Sequence, residues 1–211
     1  MRQYIKGEVQ NMARSEVLSM IPQDTLERIK HTDKRPEIKV FAIAHEGEAQ
    51  GTELSFGMKM KKAFGYVKDM IVRINEKLQM GTPIFNRHAD TNEHAGREQI
   101  GELVGKTIKY VGNRLSALAA IYIYPQYRKL PLDIASFEAN VEYIPKSKEA
   151  AEVIDVEEIT GIALSNSAID TPAFKNATLL GVVQAFIKPE KGDELLDRIK
   201  GIRKQIKSGK K

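Results

Sequence analysis

Residues 132–144, Leu-Asp-Ile-Ala-Ser-Phe-Glu-Ala-Asn-Val-Glu-Tyr-Ile, set the Ser136 hydroxyl and the Glu138 and Glu142 carboxylates at alternate positions among apolar neighbours. Read as a strand, the segment carries Ile134, Ser136, Glu138, Asn140 and Glu142 on one face and Phe137, Ala139, Val141 and Tyr143 on the other. The second set is a stripe for the core. The first leaves a serine on a rigid support, where its hydroxyl is a poor nucleophile unless a base takes its proton. The chemistry of this segment therefore depends on where a histidine comes from.

There are four histidines: His31, His45, His88 and His94. His31 falls in a charged segment between helices and His94 in a polar loop, and both read as surface residues. His45 closes an apolar run beside Glu46 and Glu48. His88 ends Gly81-Thr-Pro-Ile-Phe-Asn-Arg-His, a short extended piece, at its junction with a polar loop. From there an imidazole can point into a cleft from a firm base. His88, Asp90, Glu93 and His94 also gather metal-ligating side chains, but in a loop whose spacing fixes no geometry. Ser165 and Ser167 lie where a strand runs into Asp170-Thr-Pro, and turn chemistry accounts for them. No Gly-rich phosphate loop, dinucleotide fingerprint or Gly-x-Ser-x-Gly elbow is present, and no cofactor is expected.

Composition sets outer limits. A chain of 211 residues, 42 % hydrophobic and 29 % charged, fits one domain with a full core and helical appendages. No apolar run of about 18 residues or signal-peptide pattern occurs, so no membrane partner is expected. The absence of cysteine removes disulfides and thiolate chemistry. The net charge of +5 is concentrated at one end. Residues 189–211 hold eight Lys/Arg against four Asp/Glu, a net of +4, which leaves +1 on the other 188 residues. That tail could touch nucleic acid, though a solvated helix face explains its charge as well.

The elements follow from periodicity. Val9, Met12, Ala13, Val17 and Met20 recur near helical spacing, and Pro22 can open a second helix carrying Leu26 and Ile29, giving a helical segment over 1–36. Residues 37–45 read as the first core strand and 47–51 as a turn. The stripe Met60, Ala63, Phe64, Val67, Met70, Ile71, Ile74, Leu78 predicts a long helix over 58–79. Residues 91–99 read as a loop. Strands over 103–111 and 114–124 meet at Gly112-Asn113, a hairpin signal. Residues 146–152 read as a charged loop, 153–165 as a strand, and 178–187 as a strand or short helix. Residues 189–211 form a basic helix with Leu195, Ile199, Ile202 and Ile206 on one face. The main domain spans 37–188.

The order of these features resembles the prohead (capsid maturation) proteases of tailed bacteriophages, which are similar in fold to the herpesvirus assemblin. It rests on His88 at a strand end, a hairpin, Ser136-Phe-Glu-Ala 48 residues after that histidine, and Ile159-Thr-Gly-Ile-Ala-Leu-Ser-Asn-Ser before Pro172-Ala173. It covers about residues 37–187. It implies an α+β fold, a mainly antiparallel β-barrel of herpesvirus-protease type flanked by helices. It also implies a serine endopeptidase with Ser136 as nucleophile and His88 as general base. No position matches the family's third catalytic member cleanly; Glu158 is the first candidate and Glu102 the second. Glu138 is expected to hold substrate or a neighbouring backbone, and 161–166 to offer oxyanion-hole amides. Implied partners are phage scaffold and major capsid protein as substrates and further copies of the chain, within an immature capsid in the host cytoplasm. The other readings are a catalytically inactive assembly protein of the same fold, and an unrelated β-rich binding domain in which Ser136 and His88 never meet.

Overall fold

Two strands buried on both faces form the middle of the molecule. The first, β1 (Glu37–His45), matches the expected span, and β6 (Arg114–Ile123) lies antiparallel beside it. In β1, Ile38, Val40 and Ala42 point to one side while Phe41 and Ile43 point to the other, and both sets are buried. β6 divides in the same way, with Leu118, Ala120 and Tyr122 against Ala117, Ala119, Ile121 and Ile123. A strand with protein on both faces needs apolar residues without alternation. The computed structural model describes residues 12–55, 58–88, 97–168, 173–174 and 179–184. The expected basic helix over 189–211 lies outside them.

Among the described residues the fold is α+β. One mostly antiparallel sheet of nine strands is strongly curled into a half-barrel, and the helices are few. The remaining strands are β2 (Gly47–Ser55), β3 (Met58–Tyr66), β4 (Pro83–Phe85), β5 (Gln99–Val111), β7 (Ile134–Pro145), β8 (Ala150–Ser165) and β9 (Leu179–Gln184). The order is β2-β3-β8-β4-β5-β6-β1-β9, with β7 also paired to β8. The expected hairpin joins β5 to β6, with Val111 opposite Arg114 and Gly112 at φ +62°, a left-handed conformation that glycine adopts without strain. On the outer face of β1 and β6, α1 (Arg14–Ser19) and α2 (Gln23–Thr32) bury Val17, Ile21, Leu26 and Ile29. Each such side chain contributes about 1.5–3 kcal/mol of hydrophobic stabilisation. Pro22 stands immediately before α2.

The helix expected over 58–79 is two elements: strand β3, then α3 (Lys68–Lys77). Only the second half of the stripe is helical, with Ile71, Ile74 and Leu78 in the core. In the first half Lys62, Phe64 and Tyr66 are buried while Lys61 is exposed, a period of two. A lysine conceals that period. Lys62 lies with its ammonium 4.9 Å from the Tyr143 ring centroid and its stem in the interior. The turn expected over 47–51 is likewise strand β2. The chain reverses instead at Glu46 and Gly47 (φ +118°), so that β2 can pair along the whole of β3. The charged loop expected over 146–152 is shorter, because β8 begins at Ala150.

β8 organises the candidate site. One of its edges pairs with β7 along its length. The other edge takes β3 at Ala150–Glu152 and β4 at Ile162–Ala163, both parallel. α3 bridges the gap, with Arg73 donating to Asp155 at 2.9 Å, and its C-terminal carbonyls are collected by the Lys106 ammonium.

Candidate active site

The face assignment made for residues 132–144 holds in β7. Phe137, Ala139, Val141 and Tyr143 pack against the core inside the curled sheet, and Ser136 and Glu138 lie half-buried on the opposite face. At Ala163 the three strands form a row: Phe85 of β4 on one side, Ser136 of β7 on the other. Glu138, two residues further along β7, stands opposite Gly161. That repeat puts it about 7 Å along the strand from Ser136.

Beyond Phe85 the chain bends at Asn86 and Arg87, and His88 reaches across β8 to β7. There its Nδ1 lies 3.2 Å from Glu138 Oε1. The carboxylate's second oxygen, Oε2, accepts from Arg97 Nη2 at 2.5 Å. Arg97 comes from the other leg of the same excursion, immediately before β5. Two bonds clamp the legs together: Asn86 N–H to the Glu98 carbonyl (3.1 Å), and Glu98 N–H to Asn86 Oδ1 (3.0 Å). The Arg97 guanidinium lies over the Phe85 ring, its carbon 3.6 Å from the centroid. Underneath is Gly161, where an added Cβ would come within 2.9 Å of the Phe85 ring and 3.4 Å of Glu138 Oε2. Gly161 is what lets the ring and carboxylate settle onto the sheet.

An ionised carboxylate only accepts, so the proton in the His88–Glu138 bond belongs to Nδ1. In the neutral ring the lone pair is then on Nε2, the tautomer a general base needs. Nε2 has no partner among the described residues. The half-buried Ser136 hydroxyl makes no hydrogen bond among them either, so His88 and Ser136 share a face without being bonded to each other. Glu138 is about 14 % exposed and Arg97 about 15 %, against 47 % for His88: the ion pair is a sheltered base on which a more accessible imidazole sits.

The other candidates lie elsewhere. Glu158 is exposed, paired in register with Asn140, and forms no ion pair among the described residues. Glu102 binds Arg28 at 2.8 Å, on the side of the sheet where α2 lies. His88 therefore meets neither of the carboxylates first matched to it; it meets Glu138. Ser167 donates through N–H and hydroxyl to Asp133, at 2.6 and 2.5 Å, a contact with the residue before β7 rather than the local turn role expected of it. His31 is exposed on α2. His45 closes β1 as expected and is 4 % exposed; it donates from Nδ1 to the Glu46 carbonyl (2.8 Å) and packs edge-on to Phe174. Asp90, Glu93 and His94 lie outside the described residues. In the 161–166 segment, the backbone at Ile162 and Ala163 is engaged by strands on both sides.

A scan against protein-family models and searches of curated proteins and of solved structures returned no match. Arg97 was not among the residues singled out from sequence. It precedes a strand, at the end of a polar stretch without periodicity, and nothing local marks it. Glu138 did carry a signal, its place on the serine's face, but that face offers several uses for an acid.

Proposed function

We propose that the protein is a serine endopeptidase in which Ser136 attacks the scissile carbonyl, His88 takes its proton and passes it to the leaving amine, and Glu138 orients His88. The supporting observation is the Glu138–His88 contact at 3.2 Å, two residues from Ser136 on the same strand face. It provides a histidine held by an acid through Nδ1, beside a hydroxyl with no other hydrogen bond among the described residues. Substrate closes the remaining gap, since catalytic hydrogen bonds are often long before substrate binds. The oxyanion-hole donor belongs past Ala163, where the pairing with β4 has ended and no other described strand pairs with that side of β8.

On this reading the curled sheet is a barrel of herpesvirus-protease type, and the chain processes phage scaffold and capsid-protein segments, and itself, within an immature capsid. The absence of a Ser136–His88 bond favours one rival, an assembly protein of the same fold without activity. Mass spectrometry of the full chain co-expressed with a scaffold protein separates them. Ser136→Ala and His88→Ala are each expected to abolish cleavage products while circular dichroism stays unchanged. Products that persist in Ser136→Ala would end the serine-protease reading, and a wild-type chain that cuts nothing would favour the assembly protein.

A further inference from the structure

We propose that Arg97 is a positioning residue for this site: with Phe85 and Gly161 it forms a stack that fixes the Glu138 carboxylate and, through it, the tautomer and aim of His88. The inference rests on the protease reading and adds the device that keeps its histidine in place.

Four observations carry it. Glu138 has two oxygens, and the structure gives Oε1 to His88 and Oε2 to Arg97, so the carboxylate cannot rotate toward either partner without losing the other. The guanidinium is itself held over the Phe85 ring, its carbon 3.6 Å from the centroid, which confines where its N–H groups can reach. The ring can lie there because residue 161 has no side chain. Finally, Asn86 and Glu98, which lie close in the chain to His88 and Arg97, are hydrogen-bonded to each other twice, which ties the base and the group that anchors its acid at their stems. Arg97 touches no reacting atom in this scheme; its effect passes through Glu138.

Lysine at position 97 keeps the charge and loses the planar fork and the stack. The test compares full-length wild type, Arg97→Lys and Gly161→Ala by the rate at which a fluorophosphonate probe labels Ser136, separating the maximal labelling rate from the probe's half-saturating concentration. Histidine side-chain NMR on the same samples follows the His88 Nδ1 proton. Both variants are expected to lose about 10- to 100-fold in maximal rate, the scale of a misplacement near 1 Å, with half-saturation little changed. The Nδ1 proton signal is expected to shift or broaden. A general loosening of the fold would instead lower the urea midpoint without moving that signal selectively. If wild type labels at Ser136 and Arg97→Lys labels at the same maximal rate, the positioning role is wrong and the protease reading stands. If wild type does not label at Ser136, the protease reading fails and this inference fails with it.

Discussion

Glu138→Gln is the substitution whose consequences the structure specifies most closely. The amide has nearly the same shape but offers one acceptor and one donor, whereas the carboxylate accepts from both sides. Arg97 Nη2 can only donate, so it takes the amide oxygen, and the amide NH2 is left facing His88 Nδ1. To accept that bond the imidazole must move its proton to Nε2, which removes the lone pair needed to activate Ser136. A wrong tautomer in otherwise intact geometry costs on the order of 1000- to 10,000-fold in turnover. Stability should change far less. Breaking one partner of a fully buried ion pair costs about 3–5 kcal/mol, but Arg97 keeps an acceptor and some exposure, which reduces the cost to about 1–2 kcal/mol. The assay pairs fluorophosphonate labelling of Ser136 with urea unfolding, and nitrogen-15 histidine spectra report the tautomer. Glu158→Gln, on the same sheet but exposed, is the control and should match wild type. Wild-type labelling in Glu138→Gln, or an equal loss in Glu158→Gln, would refute the assignment of Glu138.

Three further outcomes test the scaffold. Burial pushes the Tyr66 phenol up to about 12 from its ordinary 10.0, so the folded state holds that proton after the unfolded chain has released it. The stabilisation is complete below pH 10 and is lost as pH rises toward 12, roughly 3 kcal/mol over that interval; Tyr66→Phe should flatten that part of the alkaline urea-stability profile. Lys106→Met leaves the carbonyls of Asn75, Glu76 and Leu78 without their ammonium and should cost about 2 kcal/mol in urea unfolding, most of it from loosened ends around α3. Asp33→Asn weakens a buried junction in which Tyr122 donates at 2.9 Å and Arg128 forms an ion pair, and should lower stability by about 2 kcal/mol without changing Ser136 labelling.

What could be seen in the sequence follows from the range of each interaction. β1 and the β5–β6 hairpin are fixed by neighbours in the chain: unbroken apolar residues in one case, Gly112-Asn113 between two strands in the other. The faces of β7 were legible for the same reason, because a period of two survives three register shifts against β8. β3 was not legible, since Lys62 is buried at an alternating position and the stripe fitted a helix just as well. The site lies at the far end of this scale. His88, Arg97 and Glu138 stand on three stretches of chain, and two separate facts bring them together. β4 and β7 flank the same residues of β8, and Asn86 and Glu98 close the excursion that carries His88 and Arg97. Neither fact leaves a trace in local periodicity. An acid chosen from sequence as the histidine's partner is therefore drawn toward strands adjacent in order, as Glu158 was, whereas the geometry selects the acid two residues from the serine. That proximity has its own consequence. Serine and acid share one strand face, whereas the base and its arginine anchor are brought to it from outside that strand. Changes in activity among variants with Ser136 intact should therefore track Glu138, His88 and Arg97 more closely than exposed sheet residues such as Glu158.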